Sequence, residues 1–165
     1  MLKVGILTIS DKGSRGERED LSGAAIREMV ATLGAQVIRY EIVPDEREII
    51  SRKLLDWCAE RLDLILTTGG TGLGPRDVTP EATRDVVERE VPGMAEAMRL
   101  QGLQATPMAM LSRAVVGTRN MSLVVNLPGS PKGVRESLVV LLPVLTHAIE
   151  ILKGEVGEHP PTREV

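Results

Sequence analysis

Residues 62–80 read LDLILTTGGTGLGPRDVTP and decide the fold of this 165-residue chain. They begin with an almost unbroken apolar run over 62–67, the pattern of a strand buried on both faces of a parallel sheet. Four glycines follow within residues 69–74. Thr79 then supplies an N-cap residue, and Pro80 suits the first position of a helix. The stretch therefore predicts a strand, a glycine-rich loop and a helix in immediate succession.

The same alternation of strand and helix extends in both directions from this stretch. Strand patterns cover residues 4–9, 36–43, 62–67 and 122–127, and helical patterns cover about 21–32, a segment after 44–46, a segment from 80, about 94–103 and 132–152. The segment 105–118 has no clear period and leaves room for a short edge strand. This order predicts an α/β fold, a three-layer, doubly wound, mostly parallel sheet with helices on both faces. We expect one domain over residues 1–153 and a polar tail over 154–165.

The composition excludes several classes of function. A net charge of −3 and a pI of about 5.5 give no basic field for nucleic acid or an anionic membrane surface. The longest apolar run, 138–145, is interrupted by Pro143 and is too short to span a bilayer. The single cysteine, Cys58, excludes an intrachain disulfide. We expect a cytoplasmic protein with no nucleic-acid or membrane partner.

Aromatic side chains are nearly absent, because the chain has no Phe, one Tyr and one Trp. Neither Tyr40 nor Trp57 lies in a glycine-rich loop. A planar ligand must therefore be held by backbone groups, small side chains and aliphatic or Met surfaces rather than by stacking. Five of the seven methionines lie in residues 94–121, a stretch we interpret as core or subunit contact.

Polar and glycine-rich loops follow three of the predicted strands. In doubly wound sheets, ligands bind beyond the carboxyl ends of the strands. Glycine lets successive backbone N–H groups converge on phosphate oxygens, so these loops predict an anion-binding rim. The loop after the first strand carries Ser10, Asp11, Asp20 and Ser22, the loop after the third covers residues 67–80, and the loop after the last covers residues 126–133.

The glycine loop fits neither common nucleotide-binding fingerprint. Gly69 and Gly74 have the spacing of a Walker A motif, but Pro75 and Arg76 follow where that motif needs Lys and Ser or Thr. A dinucleotide fingerprint fails as well, since the glycine that should follow Gly72 after two residues comes one residue early. The P-loop NTPase and the nucleotide-dependent dehydrogenase are therefore both disfavoured.

Two carboxylates near these loops allow both structural and functional interpretations. Asp45 follows Pro44 and could cap the next helix, with Glu48 completing a capping box. Asp77 lies just outside a helix start and could contact the helix dipole. Together they could hold one Mg²⁺, which takes one or two carboxylates plus substrate phosphates, if the second and third strands are neighbours. Lys132 either faces a phosphate from the last helix or is a solvated lysine.

Taken together, these segments resemble the MogA/MoaB family of molybdenum cofactor biosynthesis proteins. The resemblance covers about residues 3–160 and is strongest to its stand-alone molybdopterin adenylyltransferases and to the gephyrin G domain. The matching motifs are TTGGTG at 67–72, RDVTPEA at 76–82, VPDE at 43–46, AMLSR at 109–113 and NLPGSP at 126–131. This chain departs from some relatives at Gly102, where they carry serine before a leucine.

The resemblance implies transfer of AMP from ATP to the terminal phosphate of molybdopterin, with Mg²⁺ as cofactor and pyrophosphate as the second product. It implies that Asp45 and Asp77 are the catalytic and metal-binding residues. It also implies a molybdate-insertion protein downstream and a homo-oligomer, a trimer rather than a hexamer. A MoaB-type molybdopterin-binding paralogue or an assembly scaffold without efficient adenylation stays open. The expected substrate-binding residues are Ser10, Asp11, Asp20, Ser22, Thr68, Gly69, Gly70, Thr71, Gly72, Gly74, Arg76, Ser112, Asn126, Pro128, Gly129 and Lys132.

Overall fold

The computed structural model describes residues 1–155 and contains one six-stranded mixed sheet. The strands are β1 (Lys3–Ile9), β2 (Gln36–Val43), β3 (Leu64–Thr68), β4 (Arg89–Glu90), β5 (Val116–Arg119) and β6 (Ser122–Leu127). Their order in the sheet is β2-β1-β3-β6-β5-β4. The first four strands in this order are parallel, and at one edge β5 pairs antiparallel with both β6 and β4. Apart from its first two residues, the predicted tail over 154–165 lies outside the described residues.

Helices cover both faces of this sheet. They are α1 (Asp11–Ser14), α2 (Leu21–Ala31), α3 (Arg47–Ala59), α4 (Thr79–Arg84), α5 (Pro92–Leu103) and α6 (Pro131–Lys153), with a 3₁₀ turn over Pro107–Leu111. Side chains of α2, α5 and α6 pack together on one face, and those of α3 and α4 pack on the other. The predicted three-layer, doubly wound α/β fold is confirmed.

The core is aliphatic on both sides of the sheet, as the composition requires. Successive residues of β1 point to opposite faces, so that Ile6 packs with α2 and α6 while Leu7 packs with α3. Both side chains are fully buried. The buried Trp57 and Cys58 of α3 belong to the second of these layers. Within residues 1–155, no helix combines the length and the apolar character needed to cross a membrane.

Two helix starts differ from the sequence-based predictions. The predicted Asp45 cap and its capping box are wrong, because α3 begins at Arg47 after Glu46, which makes no side-chain cap. Thr79 is the first residue of α4 rather than its N-cap. Its hydroxyl donates to the Gly69 carbonyl at 2.9 Å. Both side chains are engaged by neighbouring loops, which local sequence cannot reveal.

The topology changes how the loops meet. The second and third strands are not neighbours, because β1 lies between β2 and β3. The segment 10–20, predicted as a loop, contains the short helix α1, whose N-cap Ser10 accepts a hydrogen bond from the Gly13 N–H. Loops after four parallel strands therefore surround one edge of the sheet, with α1 among them.

Candidate functional site

A cleft of about 580 Å³ opens over the carboxyl ends of the parallel strands, and we call it the polar cleft. This is the edge at which ligands bind in doubly wound sheets. The cleft combines carboxylates, hydroxyls and glycine backbone with few apolar side chains. The predicted site residues that line it are Ser10, Asp20, Ser22, Asp45, Thr68, Gly69, Gly70, Asp77 and Gly129.

Asp45 is held by a reciprocal pair of hydrogen bonds with Asp11. The Asp11 N–H donates to Asp45 Oδ2 at 2.9 Å, and the Asp45 N–H donates to Asp11 Oδ1 at 3.0 Å. Burial raises the pKa of Asp45, and the negative charges of Asp11 and Asp77 raise it further. The carboxylates of Asp45 and Asp77 therefore lie close enough to repel each other across the polar cleft.

Asp77 is enclosed by the end of the glycine loop. The Gly74 N–H donates to Asp77 Oδ2 at 2.9 Å. A Cβ atom at Gly72 or Gly74 would lie 2.9 Å from the same oxygen, so a larger residue would displace the carboxylate. These two glycines wrap Asp77 instead of lining the polar cleft, which corrects the expectation that they form its phosphate cradle.

The floor of the polar cleft requires glycine at two positions. Gly69 has φ +99° and Gly70 has φ +67°, a region that side chains rarely adopt. A Cβ at Gly69 would lie 2.3 Å from the Ile9 carbonyl oxygen, and one at Gly70 would lie 3.3 Å from Asp45 Oδ1. The glycine loop thus has two parts, a floor at residues 69–70 and an enclosure for Asp77 at 72–74.

Arg76 does not line the polar cleft. Its Nε and Nη2 bind the Asp11 carboxylate at 3.1 and 3.0 Å, and Nη2 also reaches Glu46 at 3.0 Å. The guanidinium lowers the pKa of Asp11, which keeps that carboxylate charged. The expected Arg76 contact with a substrate phosphate is replaced here by an exposed link between the glycine loop and α1.

Asp20 supports the opposite wall of the polar cleft. Its carboxylate accepts the Gly23 N–H at 2.9 Å as the N-cap of α2 and the Thr8 hydroxyl at 2.6 Å. The Tyr40 hydroxyl also donates to Asp20, and burial together with this carboxylate raises the pKa of Tyr40 to about 12. The Asp20 carboxylate thus accepts three hydrogen bonds and connects β1, β2 and α2 at the wall of the polar cleft.

A second cleft of about 250 Å³ lies between α5, the 3₁₀ turn and the start of α6, and we call it the methionine cleft. Met98 and Met108 line it, so the methionine stretch is not only core or subunit contact. Ser130 lines both clefts, which places them side by side. The predicted residues Ser112, Pro128 and Lys132 line the methionine cleft and not the polar one.

Two predicted residues lie beneath the surface. Asn126 is fully buried, and its amide nitrogen donates to the hydroxyls of Thr67 and Thr83 at 3.0 and 2.8 Å. Its Oδ1 accepts the Val115 N–H at 3.1 Å. The side chain therefore faces the interior in this structure, and its contact with a substrate stays a prediction. Thr71 is also buried, and it lines neither cleft.

Two arginines near the site were not expected from the sequence, Arg18, which lines the polar cleft, and Arg113. In the sequence, Arg113 appeared only as part of a family motif, although its Nε and Nη2 bind the carbonyls of Gly72 and Asp77 at 2.8 and 2.7 Å. Its guanidinium also pairs with Glu81. Residue spacing carries no signal for such a contact, because 36 to 41 residues separate the partners.

The donor set of the polar cleft fits a magnesium ion that arrives with a phosphorylated ligand. No group of three or more Asp, Glu, His or Cys residues is arranged to hold a metal within the described part of the chain. Asp45 and Asp77 each use Oδ2 for a backbone hydrogen bond, and Oδ1 accepts none from residues 1–155. Two carboxylates completed by phosphate oxygens and water are the ligands that Mg²⁺ commonly takes.

The domain has two adjoining clefts, and one of them has a glycine floor and the carboxylates of Asp45 and Asp77 at the ends of parallel strands. These features define a doubly wound α/β domain that binds ligands at the carboxyl ends of its strands. Residues 5–147 match the family model described as "Probable molybdopterin binding domain". The chain belongs to this family of molybdenum cofactor biosynthesis proteins.

Relatives of known name support the same assignment. The chain is 44% identical over 156 residues to the molybdopterin adenylyltransferase of Helicobacter pylori strain J99, covering 93% of this chain and 89% of that protein. It is 41% identical over 140 residues to the Escherichia coli K12 protein of the same name, covering 83% and 72%. The solved structure of the molybdopterin biosynthesis enzyme MoaB from Thermus thermophilus is 60% identical, with a TM-score of 0.89 and coverage of 93% and 98%.

Proposed function

We propose that this protein is a molybdopterin adenylyltransferase, which transfers AMP from ATP to the terminal phosphate of molybdopterin and releases pyrophosphate. The observation that carries the proposal is the pair of adjoining clefts that share Ser130, one with Asp45 and Asp77 among its carboxylates and one with methionines. A transfer between two bound substrates needs this arrangement, because the reacting phosphates must meet at a common boundary.

The polar cleft suits the triphosphate of ATP together with Mg²⁺. Asp45 and Asp77 alone would repel a polyanion, so the proposal requires a cation between these carboxylates and the phosphates. Mg²⁺ would neutralise phosphate charge and stabilise the pyrophosphate leaving group. The backbone at Gly69 and Gly70 can approach the phosphates closely, since no side chain stands between them and the cleft.

The methionine cleft suits the pterin. Thioether and aliphatic surfaces at Met98 and Met108 can cover a planar ring system without aromatic stacking. Ser112 and Lys132 add a hydroxyl and an ammonium group to the same walls. The Lys132 ammonium is 3.8 Å from Glu136 and its side chain is 81% exposed, so it is free to turn towards an anionic substituent.

The chemistry follows from positioning and charge. The terminal phosphate of molybdopterin is already an anion and needs no strong base to become a nucleophile. One of its oxygens attacks the α-phosphorus of ATP, and the bond from that phosphorus to the pyrophosphate oxygen breaks. The chain supplies alignment at the boundary between the two clefts and no covalent intermediate. Asp45 and Asp77 are the proposed catalytic residues, and their role is to hold the cation.

Purified protein incubated with molybdopterin, ATP and Mg²⁺ tests this proposal. We expect stoichiometric formation of pyrophosphate and adenylated molybdopterin, separated by chromatography. Omission of Mg²⁺ should stop the reaction without preventing binding of molybdopterin. Absence of product under conditions in which molybdopterin binds would contradict the proposed activity.

A second candidate function is molybdopterin binding without efficient adenylation. The observation that favours it is the 60% identity to the protein named MoaB, which exceeds the identity to the named adenylyltransferases reported above. An assembly scaffold is the related alternative. Retention of Asp45, Asp77 and the complete glycine loop favours the enzyme. The same assay separates the candidates, since only the enzyme releases pyrophosphate.

We also propose a homo-oligomer, a trimer in preference to a hexamer, that works in the cytoplasm and passes its product to a molybdate-insertion protein. Apolar side chains on the outer side of α6 support self-association, with Val139 at 59% exposed and Val144 and Ile151 also exposed. Light scattering would distinguish a trimer from a hexamer. A monomer at micromolar concentration would contradict this part of the proposal.

A further inference from the structure

The loop that carries Asp77 has little apolar packing of its own. Residues 72–76 lie between β3 and α4, and Leu73 is 66% exposed. Gly74, Pro75 and Arg76 are also exposed. Glycine-rich, exposed segments have high conformational entropy and open readily. A fixed position for the Asp77 carboxylate therefore needs an anchor from elsewhere in the molecule.

Arg113 provides contacts of the required kind at both ends of this loop. Its Nε donates to the Gly72 carbonyl at 2.8 Å, and its Nη2 donates to the Asp77 carbonyl at 2.7 Å. Its backbone N–H donates to the Thr71 carbonyl at 2.9 Å. One residue thus fixes the main chain immediately before the loop, at its first turn and at the aspartate itself.

The guanidinium is oriented by the helix that follows the loop. Its Nη1 pairs with Glu81 of α4. Burial opposes ionisation of Glu81, but the hydrogen bond and charge of Arg113 outweigh it and lower the pKa of Glu81. The other Glu81 oxygen is buried and has no hydrogen-bond partner among the described residues. Arg113 is thus the side chain that hydrogen-bonds Glu81, the charge of Arg84 also favours the ionised form, and the ion pair ties the loop to α4.

The segment around Arg113 is itself held from the opposite side. Arg99 donates to the carbonyls of Ser112 and Ala114 at 3.3 and 3.1 Å. These contacts flank Arg113 on the chain, so its backbone has a fixed position from which the side chain reaches the loop. Arg113 itself lines neither cleft, whereas Ser112 lines the methionine cleft.

We propose that Arg113 is a positioning residue for adenylyl transfer, which holds Asp77 in place by binding both ends of its loop. The inference rests on the proposed function, because Asp77 is its proposed metal ligand. Lysine cannot replace the arginine, since a single ammonium group does not reproduce a planar fork that binds two carbonyls and a carboxylate at once.

Arg119 offers a matched control. It also donates to a main-chain carbonyl, that of Val86 at 2.9 Å, and it lies 3.8 Å from Glu88. Both arginine side chains are 33% exposed. Arg119 lines neither cleft and does not contact the loop that carries Asp77. Its replacement by lysine therefore measures the general effect of losing a half-buried guanidinium.

The experiment compares Arg113→Lys and Arg113→Gln with Arg119→Lys by steady-state kinetics and amide hydrogen exchange. We expect kcat of Arg113→Lys to fall about 10²-fold, the scale on which misplacement by about 1 Å lowers a rate. KM for molybdopterin should change less than about threefold, because the methionine cleft is untouched. Amides of residues 72–78 should exchange faster, while those of β1 and β3 stay protected. Arg119→Lys should leave kcat and loop exchange at the values of the unmodified protein.

Several outcomes would overturn the inference. Arg113→Lys could retain full kcat, its loop amides could exchange as in the unmodified protein, or its KM and kcat could change in parallel. Global unfolding of Arg113→Lys would also overturn it, because the residue would then support the whole domain. If Arg113→Gln does not fold, Arg113→Lys still carries the test. An unmodified protein that makes no adenylated product contradicts the proposed function, and loop exchange still decides whether Arg113 holds Asp77.

Discussion

The polar cleft and the methionine cleft share Ser130 but are built from different parts of the structure. The polar cleft is formed by main chain and short side chains where parallel strands end. The methionine cleft lies between α5, the 3₁₀ turn and the start of α6, and the long, flexible side chains of Met98 and Met108 form part of its walls. Strand ends in one sheet are fixed relative to each other, whereas methionine side chains adopt many rotamers. If the proposed function holds, we expect the rigid cleft to serve the chemistry and the adaptable cleft to serve recognition of the pterin ring.

The two clefts also differ in the charged side chains that line them. Asp45 is destabilised as an anion by burial and by two neighbouring carboxylates. The methionine cleft is lined by two cations, Arg99 and Lys132, and by one carboxylate, Glu136, which lies 3.8 Å from the Lys132 ammonium. A partly buried carboxylate whose pKa is raised by neighbouring carboxylates in a cleft is a mark of a functional centre. Substitutions in the polar cleft should therefore change turnover, and substitutions in the methionine cleft should change substrate affinity.

The largest expected effect is the loss of turnover in Asp77→Asn. The amide keeps the size of the side chain and an acceptor for the Gly74 N–H, but it removes the negative charge. We expect kcat to fall by about 10³-fold, the upper range for the loss of one electrostatic stabiliser in an active site. The measurement is initial rate of pyrophosphate release at saturating substrates, with molybdopterin binding followed separately.

Asp56→Asn is the control for this variant, because Asp56 lies on the exposed side of α3 and lines neither cleft. It should keep full turnover. Retained activity in Asp77→Asn would show that turnover does not need this charge. The assignment of the chemistry to the polar cleft would then be wrong.

The next largest effect concerns stability beneath the polar cleft. Asn126→Ala removes three hydrogen bonds and leaves the Val115 N–H buried without a partner. We expect the free energy of unfolding to fall by about 2–3 kcal/mol. For a domain of this size, Tm should fall by about 5–10 °C. A thermal unfolding scan and KM for both substrates measure the outcome. Unchanged Tm with a raised KM would mean that Asn126 touches a substrate after all.

This residue illustrates what the sequence could and could not predict. Topology brings the ends of parallel strands to one edge, so the positions of Asp45, Asp77 and Gly129 followed from the order of elements. Whether Asn126 turns to the cleft or to the interior depends on Thr67 and Thr83, which lie on other elements. Side-chain direction at the end of a strand is a tertiary property, and no local pattern encodes it.

Arg76 and Arg113, the two arginines near Asp77, also have partners that local sequence does not predict. Sequence proximity favoured Arg76 as a phosphate contact, yet its guanidinium binds Asp11 and Glu46. Arg113, far away in the sequence, binds the loop instead. The methionine cleft was missed for a related reason, since α5, the 3₁₀ turn and α6 form it only after they pack. The fold was predictable from periodicity and turn residues, whereas long-range polar partners were not.

A bulky residue in the methionine cleft should lower the affinity for molybdopterin without changing the affinity for ATP. Ala109→Phe places a ring in the cleft, where Ala109 forms part of the wall. Overpacking costs about 1–3 kcal/mol, which corresponds to a rise in Kd for molybdopterin of about 5- to 150-fold. The affinity for ATP should stay unchanged. Binding titrations with each substrate alone measure both values.

Ala105→Phe is the matched control, because Ala105 is exposed beyond the end of α5 and does not line the cleft. Its affinity for molybdopterin should equal that of the unmodified protein. An equal loss of ATP affinity in Ala109→Phe would argue against separate clefts and favour one continuous substrate surface.

The smallest expected effect is a gain in stability from Asp45→Asn. The variant keeps an acceptor for the Asp11 N–H but removes a partly buried charge that Asp11 and Asp77 repel. We expect a gain of about 0.5 kcal/mol at pH 7, which allows for the solvent that still reaches the side chain. Tm should rise by about 1–2 °C. Turnover should be lost in the same variant, as it should be in Asp77→Asn.

The pH dependence of this gain follows from the raised pKa of Asp45. In the unfolded chain the carboxyl group ionises near pH 4, and in the folded protein it ionises at higher pH. Below both pKa values the proton is bound in both states and the charge costs no stability. As pH rises through the interval between them, the unfolded state loses its proton first, so the unmodified protein loses stability relative to Asp45→Asn. The difference in Tm should therefore be present at pH 7 and disappear towards pH 3.5. A variant that is less stable than the unmodified protein at pH 7 would mean that Asp45 is stabilised as an anion, which would remove the contrast in charge between the two clefts.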